Sequence, residues 1–162
     1  MEVKTMAPDT FGPKPPRKIK PWEKPGGNVI ANPNFVSLAE NKSWKPTKYV
    51  SYLWVLPSQD NLFVGVETQV LTEHAVKGVP STNQMYGHPT LTGGATALYG
   101  GELLYKPSLG SASGWIINGA SGRYGRSKIS PLNSAYLRLA QSLFYRLIGL
   151  YVNISSYEVR DG

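Results

Sequence analysis

The sequence predicts an α+β fold: a small, twisted, mostly antiparallel sheet with one long amphipathic helix over about 131–148 and long glycine-rich loops. Three observations carry that reading. The 10 Tyr and 4 Trp cluster with β-branched residues in short runs bounded by turn residues, which suits half-buried strands. One stretch after Ser130-Pro131 repeats apolar residues at three- and four-residue spacing, the period of a helix with one buried face. With 17 Gly and 13 Pro, the chain punctuates itself too often for a helical bundle.

The elements follow in chain order. Residues 1–27 hold six of the thirteen prolines and six basic side chains; such a segment neither propagates a helix nor builds a sheet, so it is predicted to be an extended linker arm ending at Gly26-Gly27. A single domain then spans 28–162, a size at which roughly 70% of the unfolded chain's surface is buried. "YVSYLWVL" (49–56) and "NLFVGVE" (61–67), separated by "PSQD", predict a β-hairpin. Residues 72–95 keep no period and predict a long loop. "TALYGGELLY" predicts a third strand, with Gly100-Gly101 marking a bulge or a close backbone approach. If that strand is regular, Glu102 points the same way as Leu98 and Leu104.

"GWIING" predicts a fourth strand, and "ASGRYGRSK" a basic loop after it. Ser130 as N-cap and Pro131 at the first helical position open the helix, Leu132, Tyr136, Leu139, Ala140, Leu143 and Leu147 form its apolar face, and Gly149 stops it. "LYVNISSYEV" predicts a final strand.

Charge and composition narrow the function classes. The net charge of +7 suits an acidic partner such as nucleic acid, an anionic small molecule or an acidic protein. Without cysteine there is no disulfide framework, thiolate nucleophile or Cys-type zinc site. No apolar run approaches the ~18 residues that span a bilayer, so no membrane insertion is expected. Phosphate-loop, dinucleotide-binding and nucleophile-elbow motifs are missing from the sequence, and two His with one nearby Glu make no metal-chelating set.

Between His74 and Tyr157 the single acidic side chain is Glu102, against seven Lys and Arg. It lies between two other glycine-flanked motifs, "GHPTL" around His88 and "NGASGRYGRS" from Asn118 to Ser127. His88 can orient a ribose hydroxyl or exchange a proton near neutral pH. Glu102 can stabilise a developing oxocarbenium cation or take a proton from a nucleophile. Arg123, Arg126 and the loop's backbone N–H groups suit phosphate oxygens, and Tyr124 can stack on a flat ring or serve as a core aromatic. Together they describe a site for a nucleotide-like molecule with a reactive sugar.

In linked order, "GHPTLTGGATALYGGELLY", "GWIINGASGRYGRS" and the helical "LFYRLIG" resemble the C-terminal toxin domains of bacterial polymorphic toxins and secreted effectors, over about residues 50–157. In those domains a GHPTL-type element precedes a GE strand and an SGHY-type loop, and several members are mono-ADP-ribosyltransferases that cleave NAD and modify a protein or RNA of the target cell. The resemblance implies catalytic roles for His88, Glu102 and Tyr124, and binding of NAD as substrate, without a metal, by Gly87, Tyr99, Ser121, Gly122, Arg123 and Arg126. Arg123 departs from the pattern, since many relatives carry His there; a catalytic His at that place would give this chain a different activity or acceptor. The resemblance also implies secretion or delivery by a larger toxin, action in the target cell's cytoplasm, and an acidic immunity protein in the producing cell.

Two further function classes fit the same residues. A metal-independent ribonuclease would use His88 and Glu102 as acid and base with Arg123 on the phosphorane. A non-catalytic polyanion-binding module would need only the basic face and the aromatic residues.

Overall fold

In a computed structural model, residues 11–71, 75–107 and 113–155 are described. Six strands form one sheet: β1 (Val36–Ser37), β2 (Tyr52–Ser58), β3 (Asn61–Val66), β4 (Tyr99–Tyr105), β5 (Trp115–Asn118) and β6 (Asn153–Ile154). Their spatial order is β1-β3-β2-β4-β5-β6, antiparallel throughout except for the parallel β5–β6 pair. A short helix α1 (Pro89–Thr92) precedes β4, and the long helix α2 (Leu132–Ile148) links β5 to β6. The fold is therefore α+β, as the composition and periodicity predict.

The hairpin forms because aromatic and β-branched residues alternate on both sides of a two-residue turn. β2 runs one residue beyond Pro57, so Ser58 pairs with Asn61 and only Gln59-Asp60 turn. Alternation then gives the sheet two different faces. Tyr52, Trp54 and Leu56 of β2, Tyr99 and Leu103 of β4, and Ile117 of β5 face α2 and make the main core with Tyr136, Ala140, Leu143 and Phe144. Leu53 and Val55 point the other way, into a smaller cluster with Leu91 of α1, Ala97 and Tyr124.

Helix α2 begins after the predicted start: Pro131 occupies the capping position, and Ser130 Oγ still accepts the Leu132 N–H at 3.2 Å. Its end is as predicted, with Gly149 at φ 67° and its N–H turned back to the Tyr145 carbonyl at 2.8 Å. The buried stripe is rotated from the predicted one. Asn133, Leu137, Phe144 and Ile148 join Tyr136, Ala140 and Leu143 inside, while Leu132, Leu139 and Leu147 are only partly buried. The final strand is confined to Asn153–Ile154, and residues 156–159 of its predicted span lie outside the described residues.

Residues 75–95 carry more structure than the loop predicted over 72–95, of which 72–74 lie outside the described residues. Gln69 pairs with Met85, and the buried Gln84 amide accepts the Val76 N–H and donates to the Val76 and Val79 carbonyls. This side chain serves backbone groups of the segment that the Gln69–Met85 bridge does not reach.

From Phe11 onward the N-terminal arm is extended but for one 3-10 turn at Pro21–Glu23, and it is docked on the domain rather than separate from it; residues 1–10 of the predicted linker lie outside the described residues. Lys14 exchanges both backbone hydrogen bonds with Ala97, at 2.8 and 2.9 Å. Prolines 13 and 15 do not prevent this, because in an antiparallel pair alternate residues turn their N–H away from the partner. Gly12 N–H donates to Tyr136 Oη at 2.9 Å, Arg17 N–H to the Arg123 carbonyl at 3.0 Å, and Trp22 Nε1 to the Met85 carbonyl at 3.1 Å. No helix among the described residues is long and apolar enough to cross a membrane.

Candidate functional site

Strand β4 positions the centre of the site. Its register is continuous from Tyr99↔Leu56 to Leu103↔Tyr52, so Gly100-Gly101 is not a bulge. The glycines are there for close approach. A Cβ on Gly100 would stand 3.1 Å from His88 Cδ2 and 3.2 Å from Ser121 Oγ, and one on Gly101 only 1.8 Å from the Asn118 carbonyl oxygen. The three motifs that the sequence sets apart thus meet at two glycines.

Glu102 pairs with Leu53 on one side and Asn118 on the other, on the face away from α2. Leu104 shares that face. Leu98, which precedes the strand, packs in the main core instead, a correction to the predicted alternation. Asn118 Nδ2 donates to Glu102 Oε1 at 3.0 Å, while its Oδ1 accepts the Glu102 and Ala120 N–H groups, both at 3.0 Å. That network fixes which way the amide points. The second carboxylate oxygen of Glu102 has no partner among the described residues, and the side chain is half-buried.

His88 stands at the entry to α1, and 6% of its surface is exposed. Its Nε2 lies 2.8 Å from the Gly101 carbonyl oxygen. A carbonyl can only accept, so Nε2 carries the proton. The ring is therefore held by the peptide that precedes Glu102.

The "SGRYG" loop is a tight turn. Ser121 Oγ accepts the N–H groups of Arg123 (3.3 Å) and Tyr124 (3.1 Å), and the Gly125 N–H returns to the Ser121 carbonyl at 2.9 Å. Gly122 lies at its tip with open space where a Cβ would be. Tyr124 is buried, its hydroxyl donating to the Ala95 carbonyl and accepting from Thr92 Oγ1, each at 2.6 Å. Burial pushes its phenol up to about 12. Of the two roles the sequence leaves open for Tyr124, the ring occupies the core one and presents no open face for stacking.

The arginines are engaged as well. Arg126 is buried and donates to the carbonyls of Gly12 (2.7 Å) and Leu98 (3.3 Å) and to Tyr136 Oη (3.2 Å), with its guanidinium over the Tyr136 ring. Arg123 Nη1 pairs with Glu23 Oε1 at 2.5 Å. Glu23 has no exposed surface; Oε1 also accepts the Lys20 N–H at 2.8 Å, and Oε2 accepts the Gly87 N–H at 3.0 Å. Tyr99 lies on the other face of the sheet, fully buried, donating to Asn133 Oδ1 at 2.7 Å, and burial holds its phenol above the usual tyrosine range.

The structure therefore brings His88 and Ser121 to Gly100, two positions before Glu102 on the same strand, joins Gly87 to Arg123 through Glu23, and sets Tyr99, Tyr124 and Arg126 into packing roles. Two residues were missed by sequence reasoning. Asn118 opens one of the singled-out motifs, and its cross-strand place opposite Glu102 was the available signal. Glu23 is one of three acids among six basic residues of the arm, and nothing local marks its partner 100 positions away. Among the described residues no group of three His, Asp or Glu could hold a metal ion. Chemically, the arrangement offers one fixed carboxylate with a free oxygen, on a strand that meets a glycine loop whose Arg123, Tyr124 and Gly125 N–H groups are already engaged. Comparison of the chain with family models, with curated proteins and with solved structures finds no match.

Proposed function

We propose that the chain is an NAD-dependent mono-ADP-ribosyltransferase toxin that modifies a protein or RNA of a target cell, with Glu102 as its reacting carboxylate. The observation that carries this reading is the state of Glu102: one oxygen tied to the Asn118 amide, the other unpartnered, beside the His88 and "SGRYG" elements. A carboxylate fixed in that way stabilises the positive charge that develops on ribose as nicotinamide leaves, and its orientation needs no rearrangement at that moment. The free oxygen then takes the proton of the acceptor nucleophile.

His88 favours this reading over a metal-independent ribonuclease. A ribonuclease needs a histidine that exchanges protons with substrate, whereas the His88 ring is buried and its Nε2–H is held by Gly101. In the transferase reading it positions the backbone that carries Glu102. The donors suited to the NAD diphosphate, Arg123 and the Gly87 N–H, already hold the Glu23 carboxylate, so diphosphate bound there displaces it. Delivery by a larger toxin and neutralisation by an acidic immunity protein belong to the same proposal, the latter supported by the charge of +7.

The test is incubation of the protein with labelled NAD and a target-cell lysate. Glu102→Gln is expected to lower label transfer and nicotinamide release by about a hundredfold or more, the usual cost of losing a charge that acts on the transition state. Thermal stability should hardly change, because Asn118 Nδ2 can donate to the glutamine oxygen as it does to the carboxylate. A wild-type protein that neither transfers label nor releases nicotinamide overturns the reading. Unchanged function in Glu102→Gln would point to the non-catalytic polyanion-binding module.

A further inference from the structure

A second feature lies at the far end of β4, on the sheet face opposite to Glu102. Thr47–Val50 form a tight turn closed by the Val50 N–H on the Thr47 carbonyl at 3.3 Å, with Lys48 and Tyr49 at its tip. Tyr49 has φ 71°, a left-handed conformation that glycine or asparagine adopts at this place in a turn and that a bulky side chain resists. The residue is 92% exposed, so burial does not offset the strain. The fold alone gives no reason for a tyrosine here, and strain of this kind collects at positions used for binding.

The surroundings state what such a ring could bind. Tyr49 stands edge-on to Tyr105 at 6.3 Å, and Tyr105 edge-on to Trp115 at 5.1 Å, an aromatic row leading from solvent into the core. Lys48 Nζ sits 4.7 Å over the Tyr105 ring. Lys42, Lys45 and Lys106 are exposed on the same or the adjoining segment. No acidic residue occurs in 41–59 or 103–157, so no carboxylate on these stretches neutralises the lysines.

We infer that this face is a stacking site for single-stranded nucleic acid, with a base laid on the Tyr49 ring and the neighbouring phosphates on Lys48 and Lys106. An exposed aromatic ring flanked by cations is the arrangement that binds unpaired bases regardless of their order, while a duplex keeps its bases stacked on one another. A polyanion without flat rings would use the lysines and leave Tyr49 unstacked. The inference does not depend on the transferase reading, and under that reading it names RNA as the acceptor.

The test uses the full chain and a fluorescein-labelled 12-nucleotide oligouridylate, without NAD, followed by anisotropy over a range of salt. Wild type is expected to bind, with affinity falling as salt rises. Tyr49→Gly relieves the strained φ, so it should raise the unfolding midpoint while weakening binding about tenfold, the size of one lost base stack. Lys48→Gln should lower the slope of log affinity against log salt by about one. The inference is overturned if wild type does not bind the oligonucleotide, if Tyr49→Gly binds as wild type does, or if a duplex or polyglutamate competes as well as the single strand. Because Tyr49→Gly is expected to be the more stable protein, loss of fold cannot mimic the predicted loss of binding. Absence of binding beside intact NAD chemistry would remove this inference alone.

Discussion

At Gly101, a single methyl group would enter the Asn118 carbonyl oxygen at 1.8 Å and crowd Trp54 Cζ2 at 2.7 Å. Both obstacles are fixed, one by the β4–β5 ladder and one by the indole's bond to the Glu102 carbonyl at 2.9 Å. Gly101→Ala is therefore expected to cost about 3 kcal/mol or more, at the upper end of overpacking effects, whereas Gly100→Ala meets only side-chain atoms at 3.1 and 3.2 Å and should cost about 1 kcal/mol. Urea denaturation of the two variants checks the order, and equal losses would contradict the geometry. The buried tyrosines set a second expectation. Tyr124 is pushed up to about 12 when folded and ionises near 10 when unfolded, so the folded state is the one that keeps the proton. Stability from this group is fully present below pH ~10 and drains away as pH rises toward ~12, by roughly 2–3 kcal/mol in all. Tyr124→Phe should lose about 1 kcal/mol at neutral pH with its hydroxyl contacts, and should show a shallower alkaline decline; an unchanged decline would mean that Tyr124 does not control it.

At the scale of elements, the arm and the "SGRYG" loop are joined by one buried carboxylate. Glu23→Ala leaves the Arg123 charge and the Gly87 N–H without their partner and is expected to cost about 3–5 kcal/mol. Faster trypsin cleavage at Arg17 and Lys18 should accompany that loss, and wild-type cleavage rates would show that the arm docks without it. The hairpin, β4, β5 and α2 were legible in the sequence because each is specified by a local pattern and a local stop. The orientation of α2 was not, since Leu132, Leu137, Leu139, Leu143 and Leu147 spread apolar surface around much of its circumference. Which stripe turns inward is decided by the partners: Asn133 goes in because the Tyr99 hydroxyl needs its oxygen. The site divides in the same way. The meeting of the His88, Glu102 and Ser121 motifs followed from their places beside one strand. The engagement of Arg123 could not be foreseen, because its carboxylate lies in a proline-rich segment that carries no pattern of its own.

For the whole molecule, the arm works as a brace across the fold and not as a tether. It touches the main core through Phe11, whose ring lies 4.7 Å from that of Tyr136, and through Gly12 on Tyr136 and Arg126. It reaches the opposite face of the sheet through Glu23 on Arg123 and Gly87. The two cores are separated by the sheet, so a segment bonded to both couples their unfolding. A chain beginning at Asn28 is expected to lose roughly 4 kcal/mol, because Arg123 and the buried Arg126 guanidinium both forfeit partners that water replaces poorly. For a domain of this size that corresponds to a fall of about 8–16 °C in the unfolding midpoint. Circular dichroism melts of the two chains measure it, and adding a peptide of residues 11–27 to the shortened chain should recover part of the loss. A shortened chain that melts with the full one would show that the brace contributes nothing, and that residues 28–155 hold the site unaided.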